Sequence, residues 1–191
     1  TKPVTSLAIM MLAEEGRLGL DDPVSKHLPD FAGRQVMASF DPATTQYTTR
    51  PPRRPMTVRH LLTHTSGLGY PFSNEVLAQL AQGNQAPADY PLLHDPGDRW
   101  TYGESTRVLG LIVEKLSGQG LEEFMRARIF EPLGMNETSY TTPAELAPRV
   151  ATIHRKVDGS LVEQPNPEGA ISSPVQGDGG LNSTAADYAK F

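Results

Sequence analysis

The run from position 105 to 117 constrains this chain more than any other stretch. Ser105, Val108, Leu109, Ile112, Val113 and Leu116 recur at helical spacing, and Ser117-Gly118 closes the run. Side chains at that period share one face of a helix. A stripe this regular is core packing, and something must cover it. A second helix is expected at once over 121–130, with Leu121, Phe124, Met125 and Ile129 on one face and Pro132 as its stop. Near the start of the chain, Val4, Leu7, Ala8, Met11 and Leu12 predict a third. Pro3 suits its first turn, where a missing N–H costs nothing, and Gly16 is a natural end.

Between these helices the pattern is less regular. Leu18, Leu20, Asp21-Asp22-Pro23-Val24 and Leu28-Pro29-Asp30 read as an extended surface segment. Residues 41–55 are polar and rich in Pro, Thr and Arg, which reads as a long loop. Within it, Arg50-Pro51-Pro52-Arg53-Arg54 reads as a solvated basic cluster. Thr57 predicts an N-cap for a short helix through Leu62, ended by Thr65-Ser66-Gly67. A further helix is expected over 75–82, and Pro96-Gly97 marks a turn in a loop over 91–98. Residues 152–162 alternate around Asp158-Gly159, a hairpin turn signal. Residues 163–180 read as loop. Thr184 caps a last helix, with Asp187 as its capping-box partner. The balance is α+β, rich in helix with few short strands. No repeat or linker divides the chain, so residues 1–191 are expected to form one domain. Both ends cut through regular structure, and the chain reads as the interior of a larger domain, truncated at both ends.

Composition excludes several functions. A net charge of −5 argues against a nucleic-acid partner, since phosphate binding needs a basic surface. The absence of cysteine rules out disulfides, a thiol nucleophile and zinc–thiolate sites. No apolar run approaches the ~20 residues of a membrane span.

Few residues carry candidate chemistry by themselves. Lys2 opens a helix. A hydroxyl three residues before such a lysine would lie on the same face, close enough to share a proton with the amine. Tyr102 sits in the loop entering the strongest helix, and a tyrosinate supported by neighbouring cations can act as a general base. Taken alone, Lys2 reads as a solvated lysine and Tyr102 as packing beside Trp100. His60 and His64 have zinc-ligand spacing. However, Leu61 stands where a metalloprotease carries Glu, and no third ligand is suggested. The pair is expected instead to hold Thr65-Ser66-Gly67 by hydrogen bonds. Ser66 lacks the Gly-x-Ser-x-Gly elbow of a hydrolase triad. Gly177-Asp178-Gly179-Gly180 fits no phosphate-loop pattern and reads as a tight turn.

The ordered set of short motifs is more specific than any one of them. Thr1-Lys2, Glu15-Gly16-Arg17-Leu18, His60-Leu61-Leu62-Thr63-His64-Thr65-Ser66-Gly67-Leu68, Trp100-Thr101-Tyr102-Gly103-Glu104, Ile129-Phe130-Glu131-Pro132-Leu133-Gly134-Met135 and Gly177-Asp178-Gly179-Gly180-Leu181 span nearly the whole chain. Together they resemble the serine β-lactamase and penicillin-binding-protein superfamily, nearest its class C-like β-lactamase and family VIII carboxylesterase group. The resemblance implies a β-lactamase/transpeptidase-like fold, of which this chain would supply mainly the helical region. Lys2 matches the lysine of the family's Ser-x-x-Lys landmark, whose serine would stand two residues before Thr1. Tyr102 matches the catalytic tyrosine of its Tyr-x-Asn landmark. Glu104 replaces the asparagine there, and an ionised carboxylate accepts hydrogen bonds but cannot donate them.

By the same resemblance, Lys2 and Tyr102 are catalytic, and Glu104, Trp100, Gly179 and Gly180 contact substrate. The implied chemistry is acyl transfer on a small ester or amide, through an acyl-enzyme and without metal or cofactor. Tyr102 would be the base, supported by the Lys2 ammonium. An esterase is the first reading, a β-lactamase or D-amino-acid peptidase the second. A non-catalytic binding module of the same fold is the reading from another class. One expectation follows for the 191-residue chain itself: purified alone, it releases no p-nitrophenol from a p-nitrophenyl ester. Saturable release that an active-site titrant blocks would pass the nucleophile's role to another serine, such as Ser66.

Overall fold

The computed structural model describes residues 1–83, 89–166 and 169–191. The predicted stripe becomes α5, Ser105–Ser117, and it is the centre of the molecule. Val108, Leu109, Ile112 and Val113 are almost completely buried. Each such side chain removed from water contributes about 1.5–3 kcal/mol. Gly118, in the left-handed region at φ 73°, ends the helix.

The first helix, α1 (Lys2–Glu14), packs on α5 and buries Val4, Thr5, Ala8, Ile9 and Leu12. Leu7 and Met11 reach only the margin of the core, while Ile9 lies at its heart. A positive φ at Gly16 ends this helix as expected. The short α3, Val58–Leu62, packs on the same central helix. Its N-cap is Thr57, whose hydroxyl accepts from the His60 N–H, while His60 Nδ1 accepts from the Thr57 N–H at 3.2 Å. That is a capping box with imidazole in place of a carboxylate. Asn74 caps α4, Glu75–Gln82, which packs a smaller cluster of Leu77, Leu80 and Tyr90.

Several local expectations need correction. The stretch 18–30 is not an extended surface segment, because Leu18 and Val24 are buried. It contains α2 (Val24–His27) and a 3-10 turn at Pro29–Phe31. The Val24 N–H donates to the Met56 carbonyl and the Val58 N–H to that of Asp22, which ties the segment to the start of α3. Part of the predicted loop 41–55 is a strand. Asp41 accepts from the Ala43 N–H and the Thr44 hydroxyl, reversing the chain. As a result β2 (Tyr47–Arg50) pairs antiparallel with β1 (Val36–Phe40), with a bulge between Met37 and Ser39. The basic cluster beyond it is not simply solvated. Arg50 makes a two-pronged contact with Asp95, at 2.9 and 2.5 Å, and the Arg53 N–H adds a third bond at 2.8 Å.

Pro132 does not stop the helix after α5. That helix begins as α6, Leu121–Met125, widens to a π turn over Arg126–Phe130, and continues as α7, Glu131–Leu133. The wide turn lies where a proline ring would otherwise crowd the carbonyl four residues back. Gly134, at φ 63°, ends it. The hairpin forms as expected. β4 (Ile153–Val157) pairs with β5 (Ser160–Gln164) across Asp158 and Gly159, both at positive φ. The predicted loop 163–180 contains β6, Ile171–Ser172, which pairs with β3, Thr141–Thr142. Positions 167–168 of it lie outside the described residues. Thr184 caps α8, Ala185–Lys190, but no reciprocal capping box forms. The Asp187 carboxylate turns instead to the Glu137 N–H, the Thr138 hydroxyl and Lys190.

The Asp95 pairing generates a prediction about acid stability. The Arg50 side chain, then the Arg53 N–H, hold its carboxyl well below the usual carboxylate range. A folded-state value depressed below the unfolded one, near 3.9, contributes stability at neutral pH that is lost as pH falls below about 4. Calorimetry from neutral pH to about pH 3 should therefore record a falling Tm. Asp95→Asn should lower the neutral Tm and flatten that acid slope.

Candidate active site

Four segments converge beside the first turn of α1. One of them, residues 64–70, leaves α3 and is fastened to the loop before α5 by backbone bonds. The Thr101 N–H donates to His64, Gly97 to Thr65, and Leu93 to Gly67. Gly103 lies so close to the Leu68 carbonyl that a Cβ there would sit 2.1 Å from its oxygen. These contacts set the position of Tyr102. From the other side, the Thr5 hydroxyl donates to the Gly177 carbonyl at 2.7 Å. Gly177 in turn lies against the backbone of α5, where a Cβ would meet the Thr106 carbonyl oxygen at 2.2 Å. Only glycine fits at either close approach.

Lys2 and Tyr102 come together there. The Lys2 ammonium lies over the Tyr102 ring, 5.0 Å from its centroid, and 5.9 Å from that of Tyr70. Both separations are within cation–π range. The ammonium also donates a hydrogen bond of 2.6 Å to the main-chain carbonyl of Asp178. Tyr102 is boxed by aromatic rings. Tyr70 meets it edge-on at 5.5 Å, Trp100 stacks near-parallel at 6.1 Å, and His64 tilts against it at 5.4 Å. Trp100 is 65% exposed and Phe72, stacked on Tyr70, is 79% exposed. The aromatic wall therefore opens to solvent at both ends.

The histidine pair does not hold its loop through side chains. His60 is used in the cap of α3, and the loop is held by backbone bonds. His64 adopts a positive φ of 53°, and its Nδ1 is buried without a partner. Burial, then the nearby Lys2 charge, lowers its pKa, so the imidazole beside the ammonium is neutral at pH 7. Ser66 is fully buried, bonded to the Ser105 hydroxyl at 2.8 Å and to the Leu68 N–H. Its oxygen is occupied in structure.

Glu104 stands at the N-cap of α5, half-buried, and accepts from Arg107 Nη1 at 2.9 Å. Burial raises its pKa, and Arg107 opposes that rise. Its charge is therefore paired within the protein. Gly179 faces open space, whereas Gly180, at φ 92°, is packed against Pro174, Ser173 and Tyr140. Sequence reasoning gave no role to Tyr70, Arg107 or the Asp178 side chain. In the structure the buried Asp178 carboxylate accepts from the Tyr70 hydroxyl and from Arg107 Nε at 3.3 Å. Burial, then Asp178, pushes the Tyr70 pKa up, so this phenol stays a donor. A cation held over one phenol, with a second phenol locked in its protonated form, can steer a proton between a nucleophile and a leaving group.

The fold is that of proteins related to β-lactamases. The chain matches the Beta-lactamase family over residues 1–191, and it belongs to that family. Acyltransferase calJ of Penicillium decumbens is 34% identical, over 98% of this chain and 49% of its own length. Lovastatin esterase of Penicillium rubens is 32% identical, over 94% of this chain and 46% of its own length. The solved structure of unliganded simvastatin synthase (LovD) from Aspergillus terreus aligns with a TM-score of 0.85 at 30% identity. That alignment covers 99% of this chain and 50% of the other. The β-lactamase/transpeptidase-like fold expected from the motifs is thereby established. The chain spans about half the length of the curated relatives it matches.

The glycine contact beside Tyr102 is open to test. Gly103→Ala should destabilise the protein by roughly 1–3 kcal/mol, the usual cost of overpacking, because the atoms it meets are backbone and cannot rotate away. A Tm indistinguishable from wild type in calorimetry would mean that the loop shifts freely.

Proposed function

We propose that the full-length protein is a carboxylesterase-like serine hydrolase that works through an acyl-enzyme. The observation that carries this reading is the Lys2 ammonium seated over the Tyr102 ring, from residues 100 positions apart in the sequence. The named relatives, an esterase and acyltransferases, support the same chemistry. The nucleophile in this reading is a serine three positions ahead of Lys2 in the complete protein. Its hydroxyl proton passes to the Tyr102 oxygen as its oxygen bonds to the ester carbonyl carbon. The tetrahedral intermediate collapses, the ester C–O bond breaks, and the departing alkoxide takes the proton back from Tyr102. Water then attacks the acyl-enzyme by the same route and frees the acid. Backbone N–H donors would hold the oxyanion. No metal or organic cofactor enters.

Position 104 supports esters over β-lactams. An asparagine amide would offer a donor to a substrate carbonyl, while Glu104 is an acceptor already committed to Arg107. A second reading, acyl transfer to an alcohol instead of water, is favoured by the acyltransferase names among the relatives. Adding an acceptor alcohol to the assay separates the two by product.

Two comparisons test the proposal in the full-length protein. Lys2→Ala and Tyr102→Phe should each lower kcat on a p-nitrophenyl butyrate by about 10³-fold, the scale of lost acid–base catalysis. The wild-type kcat/KM for that ester should exceed the value for a chromogenic cephalosporin by about 10²-fold or more. A preference for the cephalosporin would remove Glu104 as the discriminating position. Absence of any turnover would favour the non-catalytic binding module.

A further inference from the structure

We propose that Asp178 is the positioning residue of Lys2, holding the ammonium with its carbonyl and holding that carbonyl with its carboxylate. The inference rests on the esterase reading for its kinetic consequence, and on the geometry alone for the placement.

A lysine ammonium is a point charge on a flexible four-carbon stem, with three donors and no preferred direction. Left to itself on the first turn of a helix, it samples many rotamers. Here its hydrogen bond goes to the main-chain oxygen of Asp178, at 2.6 Å. A carbonyl in a glycine-rich loop is a poor anchor unless the peptide is immobilised. Gly177, one residue earlier, is clamped on α1 by the Thr5 hydroxyl and on α5 by its approach to Thr106 and Gly110. Gly179, one residue later, pairs back onto Gln176 in an antiparallel bridge, which closes the turn on itself but ties it to no other segment. The Asp178 side chain adds the restraint that ties this turn to Tyr70 and to α5.

That carboxylate is buried and receives two donors from opposite sides. The Tyr70 hydroxyl comes from the loop after α3, and Arg107 Nε comes from α5. Arg107 is itself held, at Glu104 by Nη1 and at Gln176 Oε1 by Nη2, at 2.9 and 3.2 Å. Tyr70 also forms part of the wall beside the ammonium. A displacement of the carboxylate would therefore move the carbonyl, the ammonium and one aromatic wall together. Catalytic geometry is steep: a misplacement of about 1 Å from a change remote from the chemistry can cost about 10²-fold in rate.

The alternative is that Asp178 only glues the loop to α5, in which case its loss weakens the protein but leaves folded molecules fully active. The test uses the full-length protein in two variants, Asp178→Asn and Tyr70→Phe. Asp178→Asn keeps the shape but turns an amide donor or a weaker acceptor towards Arg107. Its kcat on p-nitrophenyl butyrate should fall by roughly 10²-fold. Tyr70→Phe removes one donor and leaves the charged pair intact, and remains informative should the first variant fail to fold. Its kcat should fall by about tenfold, the scale of one lost hydrogen bond to a charged group. In both, KM should stay within about twofold, since the lost interaction serves the transition state. Arg107→Lys should retain more activity than Arg107→Met.

A second measurement does not depend on turnover. In protein carrying lysine labelled at Cε, the two ε-protons of Lys2 should have distinct shifts in the wild type, because the ammonium is fixed, and should merge in both variants. Unchanged kcat in folded Asp178→Asn, or ε-proton splitting that survives in both variants, would overturn the assignment. A wild type without esterase turnover would sink the proposed function instead, and the ε-proton comparison would still decide the role of Asp178.

Discussion

The contact between the Lys2 ammonium and the Asp178 carbonyl is the constraint on which the site depends. It joins the first turn of α1 to a glycine loop 176 residues away in sequence. A loop with three glycines in four positions has almost no side chains with which to find its own place. Its position comes from α1 and α5, which pack together and both touch Gly177. The core therefore acts on the candidate site through backbone. α5 must bury Val108, Leu109 and Ile112 in register for its Thr106 and Gly110 to present the surface that receives Gly177. A slip of that helix would displace the Asp178 carbonyl together with Tyr102, which leads into its first turn.

The aromatic box around Tyr102 solves a related electrostatic problem. An ammonium taken from water loses solvation, and ring faces, together with one carbonyl, replace part of it. A second cation in the same box would be costly. His64 is the group able to become one, and burial and Lys2 both oppose its protonation. Its left-handed backbone is a strain that the surrounding bonds must hold, since the Thr101 N–H fastens its carbonyl. The strained residue thus lies directly behind the candidate base, and its ring supplies one wall of the box.

What could be read in the sequence divides along the range of the forces involved. α3, α4, α5 and the β4–β5 hairpin were legible because their signals are local: Thr57, the stripe from Ser105 to Leu116, Asp158-Gly159. The β1–β2 pair was missed because β2 lies within a polar stretch that reads as loop, until Asp41 folds the chain back onto β1. Arg50 looked solvated because its partner, Asp95, lies 45 positions away. Pro132 misled for the opposite reason, since a strong local rule was absorbed by a π turn. Lys2 and Tyr102 were singled out by the order of whole motifs. No periodicity connects them. Tyr70 and Arg107 carry no local mark at all. They meet Asp178 from 108 and 71 residues away.

Glu104 gains its meaning from the same network. As an N-cap residue its negative charge suits the positive end of α5. It also faces Arg107, one turn on, which must serve Asp178 as well. Two carboxylates, Glu104 and Asp178, thus stand with two cations, Arg107 and Lys2, around one half-buried cluster. An asparagine at position 104 would leave that cluster with an excess positive charge beside the candidate base. It would also free one end of the Arg107 guanidinium, the group that steadies Asp178. The carboxylate at 104 is therefore coupled to the placement of Lys2 through two intervening side chains. A substitution at 104 acts on the Lys2–Tyr102 geometry as well as on its own surroundings, and the two effects separate only when Arg107 is varied alongside it.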